Sequence, residues 1–223
     1  MLLLLALACP AGMVLLPAGS FKLGETGKAV QVAAFCLDKT EVTAGAFAAC
    51  KTCPQRPAIE TYANVDAAIA EQRKALCNAG HAERANHPAN CVDFIQAEAF
   101  CKAQGKRLPS EEEWEWAARG TTRGTAFPWG AQEPDKQLCW RNKPHGTCPV
   151  GSFKAGDSPE GISDLSGNVW EWTSTKDEGV RIRRGGGWSS GDSSRVSAAI
   201  RFADQDTQRQ ADLGFRCAAE PRP

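Results

Sequence analysis

Residues 164–174 read Asp-Leu-Ser-Gly-Asn-Val-Trp-Glu-Trp-Thr-Ser, DLSGNVWEWTS. A polar turn bearing Gly167 leads into Trp170-Glu171-Trp172, a short strand with a carboxylate between two indoles. Two readings of the residues are open. In one, Asp164 caps a turn and Glu171 faces solvent. In the other, the glycine-bearing loop turns carbonyls inward between two carboxylates, a set of hard oxygens of the kind Ca2+ collects six to eight at a time.

Nine residues further on lies Arg183 to Ser194, RRGGGWSSGDSS, a basic strand running into a small-residue loop. Arg181, Arg183 and Arg184 read either as solvated side chains on an edge strand or as an anion site. The chain as a whole favours no charged partner. Its 26 Lys and Arg balance 26 Asp and Glu, so nucleic acid and anionic membrane are not expected as partners. With 223 residues, 42% of them hydrophobic, one core in a single domain suffices. Ten cysteines point to disulfides and an exported location. Met1 to Ala8, MLLLLALA, is apolar and followed by Cys9. It is too short to span a bilayer and lacks the basic residues of a signal peptide. Residues 1–11 are therefore read as a degenerate signal or lipoprotein segment, with a lipid anchor at Cys9 as one outcome.

Met13 to Leu23 holds two apolar runs around Pro17-Ala18-Gly19, a strand–turn–strand signal, and Val30 to Leu37 continues as strand. Thr43 offers an N-cap to a short helix carrying Phe47. Helices are expected at Asn64 to Asn78, at Val92 to Gln104 with Phe94, Ile95, Ala97, Phe100 and Cys101 inside, and at Ser110 to Arg119. The last opens on a capping box of Ser110 and Glu113, and Trp114 and Ala118 share its buried face. Residues 51–90 read as a cysteine-containing insertion. Strands at both ends and helices in the middle make an α+β domain whose terminal strands pair.

In order along the chain stand MVLLPAGSFKLG, DKTEVTAGAF, HPANCVDFIQAEAFCKAQGKRLPSEEEWEWAARG, FPWG, PVGSF, DLSGNVWEWTS, RRGGGWSS and LGFRCA. Together these phrases resemble the formylglycine-generating enzyme family, also called sulfatase-modifying factor domains, over residues 12–220. The resemblance implies a variant of the C-type lectin fold: one domain with little regular secondary structure. Active members of that family oxidise a sulfatase cysteine to formylglycine, using oxygen and copper(I) held by two cysteine thiolates. Fold alone does not carry that activity over.

The resemblance also implies a structural calcium bound by the Asp164 side chain, the Gly167 and Val169 carbonyls and the Glu171 carboxylate. Copper is not expected. The two copper-binding thiols fall near Ser190 and Arg195, and copper(I) selects soft thiolates that serine and arginine cannot replace. His81, His87 and His145 lack the spacing of a facial iron site. A serine nucleophile at Ser189 or Ser190 would need a histidine partner, His145 being the one outside the insertion. The loop is therefore read as the ligand-facing surface of a binding module. Trp188 would stack on the ligand, Ser189, Ser190, Asp192 and Ser193 would hydrogen-bond it, and Arg195 or Arg201 would meet an anion. The expected ligand is a peptide, a protein or a glycan. The alternative keeps a formylglycine-generating oxidase of sulfatase cysteines, or a related metal-dependent oxidoreductase. Trp114, Trp116, Trp129, Trp170 and Trp172 line a cleft or, more economically, fill the core.

The resemblance pairs Cys101 with Cys217, while Cys139 and Cys148 flank a turn and close a small loop. Cys36, Cys50, Cys53, Cys77 and Cys91 are left. Cys50-x-x-Cys53 reads as a redox pair, as part of a zinc site with Cys77, His81, His87 and Cys91, or as one of two disulfides that pin the insertion. The expected address is periplasmic, outer-membrane lipoprotein or extracellular.

Overall fold

The computed structural model describes every residue except 1–6, 25, 55–70, 72–73, 122, 143–144 and 223. Most of the helix expected at Asn64 to Asn78 lies outside the described residues. Three sheets and three α-helices make up the described fold, the α+β arrangement expected. Met13–Leu16 (β1), Phe35–Asp38 (β4) and Ala218–Ala219 (β9) form one sheet, in the order β1-β4-β9. The two ends of the domain thus pair through β4, with Cys36 opposite Ala219. Gly19–Leu23 (β2) pairs only with Lys28–Val32 (β3). The third sheet has the order β7-β6-β5-β8, from Trp170–Asp177 (β5), Val180–Arg184 (β6), Arg201–Asp204 (β7) and Leu213–Gly214 (β8). A two-residue turn joins β5 to β6, and Glu178 and Gly179 both take positive φ there, +46° and +94°, as a twist-matched hairpin turn requires.

The two runs around Pro17 do not form a hairpin, nor is 30–37 one strand. The Pro17 carbonyl accepts the Trp116 indole N–H at 2.9 Å. The chain is thereby carried away from β1 toward the third helix. Gly19 lies so close beneath that indole that a Cβ would come within 2.3 Å of the ring. β1 therefore pairs with β4, whose Phe35, Cys36 and Leu37 are fully buried.

Each helix begins where a side chain satisfies its otherwise unpaired amides. Thr43 caps Ala44–Ala49 (α1), Asp93 caps Phe94–Ala103 (α2) and Ser110 caps Glu111–Ala118 (α3). Capping boxes form at Asp93 with Gln96 and at Ser110 with Glu113. Ile95 is a correction: at 43% exposure it faces outward, and Val92, Phe94, Ala97, Phe100 and Cys101 make the inner face. Phe47, Phe94, Phe100, Trp172 and Phe215 fill one core, and Phe35, Leu37, Trp114, Trp116 and Leu165 the other. Trp114, Trp116, Trp170 and Trp172 are buried packing anchors rather than a cleft lining.

Five disulfides use all ten cysteines: Cys9–Cys36, Cys50–Cys53, Cys77–Cys91, Cys101–Cys217 and Cys139–Cys148. Both paired expectations hold, and two bridges pin the insertion. Cys9 takes Cys36 as its partner, and Ala8 bridges Arg222. Cys50, Cys53, Cys77 and Cys91 are neither a zinc site nor a reduced pair. Five disulfides place the chain in an oxidising compartment. No helix among the described residues is long and apolar enough to cross a membrane.

The Cys101–Cys217 bridge ties α2 to the strand that closes the first sheet, across 116 residues of sequence. Replacing both residues with alanine is expected to lower the unfolding free energy by about 4–5 kcal/mol. Guanidinium denaturation measures this, and a loss below about 1 kcal/mol would show that the bridge constrains little.

Candidate functional site

The loop after β6 is positioned by glycine. Gly185 and Gly186 have φ of +97° and +74°, and a Cβ on Gly186 would meet the Arg195 carbonyl at 2.1 Å. Only a bare backbone lets the loop cross under the 193–196 turn. The strand before it is not an exposed edge. β6 lies between β5 and β7, and Arg184 is fully buried against Glu115 at 2.6 Å and Glu111 at 3.3 Å. Arg183 meets Asp204 at 2.8 Å and donates to the Gln210 amide oxygen at 2.6 Å. Arg181 pairs with Asp206 at 3.3 Å. These arginines are structural ion pairs, neither a solvated row nor an anion site.

Trp188 is likewise not a stacking platform. It is 6% exposed, packed among Cys77, Cys91, Cys139 and Ala211. Its indole N–H donates to the Ala211 carbonyl at 3.0 Å and its backbone N–H to the Asn168 carbonyl at 2.7 Å. A large aromatic with its one polar atom satisfied is a core anchor, and here it wedges two disulfides against the loop. Ser190 is also buried, its hydroxyl accepting from the Gly187 N–H at 3.2 Å. The Ser189 hydroxyl donates to the Asp212 carboxylate, so the hydrogen-bond partner of neither serine is an imidazole. Arg201 is held by Glu111 at 3.1 Å and Asp177 at 3.0 Å and is not available to an anion. Asp192, Ser193 and Arg195 stay at the surface. Asp192 caps the short 193–196 turn by accepting from the Ser194 N–H at 2.8 Å. The bonds from Ser194, with Arg141 and Arg195 nearby, hold its carboxyl below the usual range.

The segment bonded to this loop walls a groove that no motif announces. It has a volume of about 440 Å³ and is lined by residues 134–136 and 138–142 with Cys148 and Phe153. Backbone bonds join the wall to the loop: Arg141 N–H to the Ser190 carbonyl at 3.1 Å and Asn142 N–H to the Trp188 carbonyl at 3.0 Å. The Arg141 side chain lies over the Trp140 ring at 4.0 Å and donates Nε–H to the Gly191 carbonyl at 3.1 Å. Trp140, Arg141 and Asn142 were missed because only the folded chain sets them beside Ser190. The one sequence signal is their place within the Cys139–Cys148 loop.

Beneath the loop lies a buried charge cluster. Both Glu171 oxygens accept from Arg216 at 2.7 Å, and Oε2 also accepts the Trp114 indole N–H at 2.8 Å. Glu171 is wholly buried, so it does not face solvent between its tryptophans. Asp164 accepts the Gly151 N–H at 2.6 Å. Glu41 joins them, accepting from Asn168 Nδ2 at 2.6 Å and the Val169 N–H at 3.2 Å. Burial, with Asp164 and Glu171 close by, pushes the Glu41 carboxyl well above its usual value, and burial also raises Asp164. The cluster thus sets three buried carboxylates against the Arg216 guanidinium. That surplus and the hard-oxygen donors match what calcium takes. Among the described residues no three acidic, histidine or cysteine side chains converge as a metal site. A cation here would therefore rest on the Gly167 and Val169 carbonyls and share Glu171 with Arg216. Copper does not match: Ser190 and Arg195 stand at the expected thiol positions and every cysteine is in a disulfide.

A domain of two main cores, five disulfides, three small sheets and a glycine-crossed loop is an α+β domain of formylglycine-generating-enzyme type, a variant of the C-type lectin fold. "Treponema denticola variable protein 1" superposes with a TM-score of 0.70 over 94% of this chain and 95% of that one, at 21% identity. Residues 7–221 match the "Sulfatase-modifying factor enzyme 1-like domain", and the chain belongs to that family. It is 37% identical over 159 residues to "Inactive C-alpha-formylglycine-generating enzyme 2" of Bos taurus, covering 63% of this chain and 52% of that protein. "Formylglycine-generating enzyme" of Mus musculus is 34% identical over 173 residues, covering 63% and 46%. The chain spans about half the length of the curated relatives it matches.

If Trp188 is a wedge, Trp188→Ala will cost about 3–5 kcal/mol of stability, as deletion of a buried indole does. Thermal and guanidinium unfolding measure it. A fully stable variant would return Trp188 to the surface.

Proposed function

We propose that this chain is an exported, calcium-stabilised binding module that has left the copper chemistry of its family. Its ligand surface is the groove of Trp140, Arg141 and Asn142 together with the exposed rim of Asp192, Ser193 and Arg195. The observation that carries this reading is the state of the cysteines: all ten are in disulfides, and serine and arginine stand where the family reaction needs a thiol pair. The similarity to a bovine protein described as inactive supports it. The stacked Trp140–Arg141 pair offers a flat apolar face and an adjacent cation, beside backbone groups and short polar side chains. Such a surface suits an extended peptide or a glycan. Calcium at Asp164, Gly167, Val169 and Glu171 would offset the carboxylate surplus beneath the loop and hold the loop's floor in place. Export to the periplasm or the extracellular space accords with five disulfides.

Three experiments test this. With copper(I) and oxygen supplied, a cysteine-containing sulfatase peptide is expected to remain unoxidised by mass spectrometry, and formylglycine formation would restore the oxidase reading. On peptide and glycan arrays, Trp140→Ala and Arg141→Glu are expected to weaken the captured signal by about tenfold or more, as loss of an interface anchor does, with unchanged melting temperature. For the metal, chelation of calcium is expected to lower the melting temperature by several degrees, to be regained on adding Ca2+ but not Mg2+. A melting curve indifferent to both would remove calcium from this loop.

A further inference from the structure

The Cys139–Cys148 bridge forms part of the groove wall, and its setting differs from that of the other four. Cys101 and Cys217 are fully buried, Cys77 and Cys91 are 1% and 2% exposed, and Cys50 and Cys53 are 7% and 5% exposed. Cys9 is half-buried but packs with Met13 and Ala219, an apolar setting that disfavours a thiolate. Cys139 is 2% exposed and Cys148 half-buried, and both line the groove, Cys148 being the more accessible residue. The Asn142 amide N–H group stands 3.8 Å from the Cys139 sulfur and 3.6 Å from the Cys148 sulfur. Asp135, Lys136 and Arg141 belong to the same wall. A hydrogen-bond donor within reach of both sulfurs of a partly exposed disulfide favours a departing thiolate. The bridge also closes only 9 residues, against 116 for Cys101–Cys217. By chain entropy it therefore constrains the unfolded chain less than the bridges that close 14, 27 and 116 residues, though more than Cys50–Cys53, which closes 3, and it can open at smaller cost to the fold than those three.

We propose that Cys139–Cys148 is a thiol–disulfide exchange site that oxidises a dithiol entering the groove. The incoming thiolate attacks the Cys148 sulfur, the S–S bond breaks, and Cys139 leaves as a thiolate beside the Asn142 amide before taking a proton. The second thiol of the dithiol then attacks the mixed disulfide and releases Cys148. The dithiol loses two electrons and two protons and becomes a disulfide, and the Cys139–Cys148 bridge gains both. Each oxidised chain performs one such exchange. Opening also frees the wall segment whose Arg141 and Asn142 amides hold the loop at Ser190 and Trp188, so the redox state of the bridge sets how firmly the groove is formed. This proposal is independent of the groove's ligand, since it is read from sulfur chemistry and not from binding.

The test uses the whole native chain. Under limiting dithiothreitol, quenched with iodoacetamide and mapped by mass spectrometry, Cys139 and Cys148 are expected to be alkylated about tenfold or more ahead of the other eight cysteines. With oxidised protein and reduced glutathione, the trapped adduct is expected on Cys148. Asn142→Asp places a carboxylate beside the departing thiolate and is expected to slow the opening about tenfold. An unfolded variant would open faster, so the direction separates chemistry from misfolding. Another bridge opening first, all five opening together, an adduct on Cys139, or Asn142→Asp exchanging at the wild-type rate would each overturn the proposal.

Discussion

The Glu171–Arg216 ion pair holds this molecule together. Arg216 lies between β8 and β9, so it belongs to the connection between two sheets. Its guanidinium bridges Glu171 on β5, the Asp38 carbonyl at 3.1 Å at the end of β4 and the Ser163 carbonyl at 2.9 Å. Glu171 in turn accepts the Trp114 indole of α3. Two full charges without solvent are expensive to bury, and an ion pair in that setting persists only when the remaining donors and acceptors are satisfied too. Here they are satisfied by groups from β4, β5, α3 and the segment at Ser163, so two sheets too small to be stable alone are docked against each other and against α3.

The same economy recurs around it. Arg184 is buried between Glu111 and Glu115 of α3 and donates to the Ala199 and Ile200 carbonyls at 2.8 and 2.9 Å. Lys106 meets Asp38 at 2.6 Å, and Asp38 also accepts the Cys217 N–H at 3.0 Å. A domain with strands of two to eight residues leaves many backbone groups outside regular ladders. Buried side-chain donors and acceptors supply what the ladders do not. The disulfides then reduce the entropy of the competing unfolded chain. This division lets the loop 188–193 and the wall 134–142 be irregular yet ordered, which is what a binding groove needs.

Local physics was legible in the residues. Capping at Thr43 and Ser110, the Gly-rich crossing, the small Cys139–Cys148 loop and the tryptophans as packing anchors all follow from interactions within a few residues or from bulk hydrophobicity. The order of eight phrases was enough to place the family. The site was legible by half. Ser190 and Arg195 stand in the thiol positions in the sequence itself, but exposure does not follow from residue identity. Trp188 and Ser190 are buried and Arg201 is ion-paired, because burial depends on what the rest of the chain lays over a residue. Trp188 is covered by Cys77 and Cys91, about a hundred residues away in sequence, and Arg201 is claimed by Glu111.

The sequence by itself determined the family, the α+β class, the starts of α1 and α3 and the absence of a thiol pair at the copper positions, since these rest on residue identity and short-range order. Only the tertiary structure decided that Cys9 bridges Cys36, that β6 is an inner strand and that Glu41 belongs with Asp164 and Glu171. It also decided that Trp140, Arg141 and Asn142 face the loop after β6. The reason is physical. Pairing partners, burial and the field at a carboxylate are properties of distance in space, and in this fold most of those distances are closed by residues far apart in the chain.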